Sequence, residues 1–282
     1  AYTDFDQIET PIAHRPTHLN PSQVLDYQRF LSWGVARFQR EQVEILRAAQ
    51  PAWWVTHNGC FASIDYRGEF TRDLDFLSYD SYPFFDPQPA NRRFSHAFNL
   101  DWVRAYSGNF MIPEQQAGPG GQTDYLHETP EPGEMRRMAL TSIAHGADGL
   151  LFFRWRSCRF GAEEYWCGLI DHDNVPRGRL QEAARLGAEL QRLGPALAGS
   201  TVRIDVAVAG GDFDSQAAHQ ALHHGLPGPR QAAETVHGAL QARQAAVGIV
   251  HPSDSLQGIG VYWVPHLPLF LPAWVPGIAA WV

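Results

Sequence analysis

An α/β fold built on a parallel sheet is predicted by three observations. Apolar segments of strand length alternate four times with segments of helical spacing. The strand segments are apolar along most of their length, as strands buried on both faces of a parallel sheet are. Each then breaks into a long loop through a cluster of polar or aromatic residues. Segment 51–58 ends in Thr-His-Asn, 75–83 in Tyr-Asp-Ser-Tyr-Pro, and 149–155 in Phe-Phe-Arg-Trp-Arg. Segment 109–121 carries Glu114 at the end of its apolar run and passes into a glycine-rich loop. Functional groups at the C-terminal ends of parallel strands suit an open doubly wound sheet or a (β/α)8 barrel. The long loops after every strand favour the barrel. A whole barrel needs eight strands and about 250 residues. Residues 1–199 supply four strands, half of one, and half a barrel leaves two sheet edges open.

The elements follow in order. Residues 1–20 are polar and hold Pro11, Pro16, His14 and His18, an irregular lead-in. Asn20-Pro21-Ser22 caps a helix whose apolar positions, from Val24 to Leu46, keep helical spacing until Pro51. A buried strand is expected over 52–56, then a loop with a short helix, a strand over 75–79 and a proline-rich loop over 83–89. A helix over 90–106 leads into the Glu114 strand. Pro132-Gly133-Glu134 opens the next helix, and Gly146 is placed to stop it. The strand 149–155 follows, then a helix over 179–193 that Gly194-Pro195 closes. The composition shifts near Ser200. A strand over 201–209, a helix over 229–246 and strands over 246–251 and 260–264 predict a partial α/β three-layer domain over 200–282. The apolar, proline-rich 267–282 stretch is left unassigned.

Composition narrows the function classes. The formal net charge is −8, and there is no run of lysine and arginine, which argues against a nucleic-acid partner. No apolar span is long enough for a membrane. Aromatics make up 12% of the chain, with nine tryptophans. Such a supply suits stacking on the apolar faces of pyranose rings, and equally suits core packing. The cysteines are Cys60, Cys158 and Cys167, an odd count without Cys-x-x-Cys. That speaks against a disulfide framework or a closed zinc site, and for reduced thiols in a cytoplasmic protein. No cofactor or metal is expected. The chain opens without an initiator methionine and reads as a piece of something longer.

A series of motifs then carries a resemblance. Glu114-Gln115-Gln116-Ala117-Gly118-Pro119-Gly120-Gly121 is followed by Pro132-Gly133-Glu134-Met135-Arg136 and Ala144-His145-Gly146-Ala147-Asp148-Gly149. Phe152-Phe153-Arg154-Trp155-Arg156, Arg159-Phe160-Gly161-Ala162-Glu163 and Asp171-His172-Asp173 complete it. Together with the opening Tyr2-Thr3-Asp4-Phe5-Asp6, Thr56-His57-Asn58 and Asp80-Ser81-Tyr82-Pro83, the series resembles the β-galactosidases of glycoside hydrolase family 42 over residues 1–265. That family combines a (β/α)8 barrel, an α/β trimerisation domain and a small β domain. The resemblance implies strands 5 to 8 of the barrel and most of the trimerisation domain, in a homotrimer when full length.

The family retains anomeric configuration, which requires two carboxyl groups about 5 Å apart: a nucleophile and an acid/base. The resemblance puts the nucleophile at Glu114; read alone, Glu114 could be a salt-bridged strand end. The acid/base is an Asn-Glu pair ending strand 4, and no Asn-Glu occurs in this chain. The implied activity is hydrolysis of terminal β-D-galactosides, with an inactive truncated remnant as the alternative. Tyr82 matches a tyrosine that reaches the sugar and the nucleophile. Glu163 matches a glutamate that binds sugar hydroxyls, with Glu164 as its rival. Trp166 falls beside the sugar or in the core. Gln122 stands where relatives often carry tryptophan, so weaker stacking is expected there. His57, Asn58 and Asp80 are further candidates near the mouth.

Overall fold

The computed structural model describes residues 3–11, 20–59, 64–86, 92–122, 125–222 and 225–282. His14, Pro16, His18, Cys60, Pro87 and Pro89 lie outside the described residues. Helix α1 (Pro21–Ala49) begins as its sequence predicts. The Asn20 side chain accepts from the Ser22 N–H, and Pro21 fills the first turn. Strand β1 (Thr56–Gly59) starts later than expected. Trp53 and Trp54 are 57% and 80% exposed, and 51–55 has no ladder. Instead the Asp75 carboxylate accepts from the Val55 N–H and from Arg47, both at 2.6 Å, and holds the segment by a side chain.

Strand β2 (Phe76–Ser81), helix α2 (Arg92–Ser107) and strand β3 (Phe110–Gln116) follow. A short hairpin, β4 (Gly121–Gln122) with β5 (Tyr125–Leu126), replaces part of the expected loop. Helix α3 (Glu134–Ala144), strand β6 (Ala147–Phe153) and helix α4 (Gly178–Leu197) complete this part. The strands lie in chain order, β1-β2-β3-β6, and all pair in parallel. Neighbours in sequence are neighbours in space, and residues of α1, α2 and α3 pack on the strands, a barrel-like arrangement. Its described edges are β1 and β6, and Leu151 on β6 is 57% exposed.

One helix start is set by a tertiary contact and one helix end by a local bond. Gly133, at φ +94°, offers α3 no capping side chain. Glu182 of α4 caps it, accepting from the Gly133 and Arg136 N–H groups at 3.0 and 2.9 Å. Helix α4 does not stop at Gly194-Pro195 but runs on to Leu197 with Pro195 inside it. The ring removes one donor near the helix end, and the Ala198 N–H re-closes the last turn on Gly194 O at 2.8 Å.

The C-terminal part is an α/β subdomain. Strand β7 (Val206–Ala209) is followed by α5 (Phe213–Ala221), which the sequence reading missed, and α6 (Pro229–Gln241). Helix α6 ends before the expected 246, since Gln244 takes a left-handed turn at φ +59°. Strands β8 (Val247–Val250) and β9 (Val261–Trp263) flank β7 in a parallel sheet of order β8-β7-β9. The unassigned tail forms helix α7 (Val275–Trp281), whose Trp281 Nε1 donates to Ile259 O at 2.9 Å. Helix α2 lies between the two sheets. Leu100 and Val103 pack with Leu77, Phe110 and Ile112 of the larger one. Phe98 and Trp102 pack with Val208, Val247 and Ile249 of the smaller. No helix among the described residues is long and apolar enough to cross a membrane.

Candidate active site

Glu114, Asp80 and Tyr82 meet because β2 and β3 run side by side in parallel. Asp80 and Glu114 are register partners, and Tyr82 follows Asp80 by two residues, on the same face. The Tyr82 hydroxyl donates to Glu114 Oε2 at 2.6 Å. Burial first, and then this hydrogen bond to a carboxylate, hold the Tyr82 phenol far above its ordinary range, so it stays a donor. Asn58 Nδ2 donates to Asp80 Oδ2 at 2.7 Å. Burial, then the charge of Glu114, push the Asp80 carboxyl up to about 6, against the Asn58 hydrogen bond. His57, one residue earlier, packs its ring edge-on against Phe70, with centroids 5.3 Å apart.

The two glutamines after Glu114 hold the strand end in place. Gln115 is fully buried; it donates to Ser81 O at 3.3 Å and accepts from Ser142 at 3.2 Å. Gln116 accepts from the Phe84 N–H and donates to Gly118 O, both at 3.1 Å, tying the Tyr82 loop to the glycine loop. Glycine is required in that loop by close approach. A Cβ on Gly120 would lie 2.5 Å from the Phe85 ring, and one on Gly118 would lie 2.8 Å from Cys167 O.

A cavity of about 790 Å3 opens here, lined by Asp80, Tyr82, Glu114, Phe153, Glu163 and Trp166 among others. That size is ordinary for a small-molecule site. The Trp166 ring stands edge-on to Tyr82, with centroids 5.2 Å apart, and to Phe153 at 6.1 Å. Phe85 stacks on Tyr82 at 4.9 Å and on His127 at 4.1 Å. The Tyr125 ring joins this cluster, 6.3 Å from Phe85 and 6.5 Å from Trp166. Glu163 is paired with Arg154, which also donates to the Cys158 sulfur. The Arg154 guanidinium lies 4.6 Å from the Phe153 ring centre.

Of the residues singled out in sequence, Glu114, Tyr82, Glu163 and Trp166 therefore share one cavity, with Asp80. Glu164 and Gln122 are not among its lining residues. Gln122 pairs with Tyr125 across the hairpin. Sequence reasoning missed Phe85, His127 and Arg154. The Phe84-Phe85 pair after Pro83 was the available signal, since an aromatic doublet in a loop beside a mouth has no helix or strand face to fill. Cys158 and Cys167 are free thiols. Among the described residues no group of three or more His, Cys, Asp or Glu is placed to hold a metal ion. An ionisable carboxyl with a phenol donor, a second carboxyl of shifted acidity and an aromatic wall can support nucleophilic chemistry on a ring with polar hydroxyls and an apolar face.

The chain is similar to known proteins. Residues 1–193 match the family described as beta-galactosidase, glycoside hydrolase family 42. The chain is 32% identical over 272 residues to the beta-galactosidase BgaA of Clostridium cellulovorans, covering 95% of this chain and 41% of that one. It is 35% identical over 298 residues to a beta-galactosidase of Thermus thermophilus, covering 95% and 43%. The solved structure of the polyextremophilic beta-galactosidase from Halorubrum lacusprofundi superposes with a TM-score of 0.87 at 32% identity, over 100% of this chain and 43% of that one. The chain thus spans about two fifths of the length of the relatives it matches.

Proposed function

The chain belongs to the beta-galactosidase family of glycoside hydrolases, family 42, and on that premise we propose that it carries the nucleophile of a retaining β-galactosidase. In this reading residues 1–199 are strands 5 to 8 of a (β/α)8 barrel. Residues 200–282 are most of an α/β trimerisation domain, and the assembled enzyme is a homotrimer. Glu114 Oε1 attacks the anomeric carbon of a terminal β-D-galactoside while the bond to the aglycone breaks. The aglycone oxygen takes a proton from a second carboxyl group. Water then attacks the anomeric carbon, gives its proton to that carboxylate, and the bond to Glu114 breaks. The second carboxyl belongs to an Asn-Glu pair, which these 282 residues do not contain.

The remaining residues bind and orient. The Tyr82 hydroxyl on Oε2 stabilises the carboxylate form of Glu114 and leaves Oε1 to react. Glu163, held by Arg154, accepts from sugar hydroxyls, and Trp166 gives the ring an apolar wall.

One observation carries the reading: the Tyr82–Glu114 hydrogen bond sits at the ends of parallel strands, in the cavity that Glu163 and Trp166 also line. The test is covalent trapping with 2,4-dinitrophenyl 2-deoxy-2-fluoro-β-D-galactoside, whose leaving group needs no acid. Mass spectrometry should find the fluorogalactosyl group on the peptide containing Glu114. A label on another carboxyl would sink the assignment.

A further inference from the structure

Asp80 is the carboxyl beside Glu114 across the sheet, and the proposed reaction does not use it. It is 8% exposed, and its Oδ1 is buried without a hydrogen-bond partner among the described residues. Its register partner across the sheet is Glu114, on a strand that parallel pairing sets about 4.8 Å away. The groups facing it are few. Strand β1 offers Asn58, which donates to Oδ2, and His57, whose charge when protonated favours the Asp80 carboxylate. Strand β3 offers Glu114, and its own strand leads on to Tyr82, whose hydroxyl already donates its hydrogen bond to Glu114. Arg230 lines the same cavity, but among the described residues no arginine pairs with Asp80, and the sequence contains no lysine.

We propose that Asp80 and Glu114 form a carboxyl pair that keeps one proton, held by Asp80, making Asp80 a positioning residue that leaves Glu114 as the carboxylate bound by Tyr82. Two neighbouring carboxyls with few donors do not both ionise freely. The asymmetry of partners decides which keeps the proton. Glu114 has a phenol donor and more access to solvent, while Asp80 has one amide donor and a bare, buried oxygen. The displacement of Asp80 toward neutral pH, from burial and then from the charge of Glu114, agrees with this geometry. The proton that the pair loses last then belongs mainly to Asp80. Until it is lost Glu114 stands beside a neutral acid; afterwards, beside a second negative charge. The functional meaning rests on Glu114 being the nucleophile, which the fluorogalactoside label decides separately.

Infrared difference spectroscopy of the chain across pH 4–8 tests the pair. The wild-type protein should show a protonated carboxyl band at pH 5 that fades between about pH 5 and 7. Asp80→Asn should remove that band. Asp65 and Glu234, whose carboxyls burial also raises, are the background that the variant subtracts. Glu114→Gln should keep the band and move its midpoint to lower pH, as the neighbouring charge is gone, a shift that a merely structural role for Asp80 would not produce. Asn58→Ala should move it to higher pH. No band assignable to Asp80, or a midpoint that ignores Glu114→Gln, overturns the proposal. A coupled band without a fluorogalactosyl label on Glu114 would keep the pair and remove its catalytic meaning.

Discussion

Asp101 on α2 and His237 on α6 meet at 2.7 Å, and neither side chain has any exposed surface. The other carboxylate oxygen of Asp101 accepts from His145 at 2.8 Å and pairs with Arg104 at 2.6 Å. The cluster ties the helix shared by both sheets to α6 on one side and to the turn after α3 on the other. Burial works to raise the Asp101 pKa, but the hydrogen bonds from His145 and His237 and the charge of Arg104 outweigh it, so its carboxyl lies well below the ordinary range.

Asp101→Ala should therefore be strongly destabilising. Removing one partner of a buried ionic cluster costs about 3–5 kcal/mol, because the remaining partners stay buried and uncompensated. The sign with pH is fixed by the lowered pKa. Stability from Asp101 is complete above the unfolded value near 3.9 and is lost as pH falls through the folded value. Urea unfolding should show the wild-type advantage at pH 7 and its decline in acid. An equal loss at both pH values would argue for packing instead.

Asp80 has the opposite sign. Its folded pKa, about 6, lies above the unfolded value near 3.9, so the folded state binds more protons between them. Its contribution is unfavourable at neutral pH and vanishes below about pH 4. Asp80→Asn should stabilise the protein by up to about 3 kcal/mol at pH 7 and by almost nothing at pH 4. Thermal melts at the two pH values measure this; a variant less stable at pH 7 contradicts it.

Substitutions at the mouth should separate two roles. In the complete enzyme Glu114→Gln should lower turnover by several orders of magnitude, since no covalent intermediate forms. Azide should partly restore Glu114→Ala with an activated aryl galactoside. Tyr82→Phe removes one hydrogen bond to a charged group, about 1.5–3 kcal/mol, and should lower turnover roughly 10- to 100-fold. The 282-residue chain alone should leave lactose untouched, because that leaving group needs the Asn-Glu acid. Steady-state rates on lactose and on a dinitrophenyl galactoside are the measurements.

The aromatic wall gives a prediction against the simplest sequence expectation. Neither Gln122 nor Tyr125, which pair across the hairpin, is among the cavity's lining residues, but the Tyr125 ring packs against Phe85 and Trp166, which are. Tyr125→Ala should raise KM for aryl galactosides several-fold, from a loss of about 0.5–1.5 kcal/mol of aromatic contact. Gln122→Trp should leave KM close to its starting value. A large fall in KM for Gln122→Trp would restore the view that the missing tryptophan weakens binding.

The legible parts of this chain were those with local causes. Asn20 and Pro21 announce α1, Gly146 at φ +102° stops the helix before β6, and the run to Glu114 announces β3. The illegible parts depend on distant partners. Glu182 caps a helix that starts 48 residues earlier in the chain, at Glu134, which no local pattern records. Trp53 and Trp54 read as core but lie exposed, because they precede an edge strand. Glu114, Tyr82, Glu163 and Trp166, which share the cavity, were singled out through motif resemblance. The special position of Asp80 was not, since it comes from register with Glu114 and from burial rather than from neighbours in sequence.

Helix α2 has a further consequence through its burial between two sheets. Its first turns follow the loop that carries Tyr82, and its buried flank packs on β8 of the small sheet. Parting either sheet from this helix would uncover that sheet's core and the apolar α2 residues packed on it. Opening of the small sheet would therefore cost the burial of Phe98 and Trp102, which couples the two layers through one helix. Whatever grips the small sheet also stiffens the ledge from which the Tyr82 hydroxyl reaches Glu114.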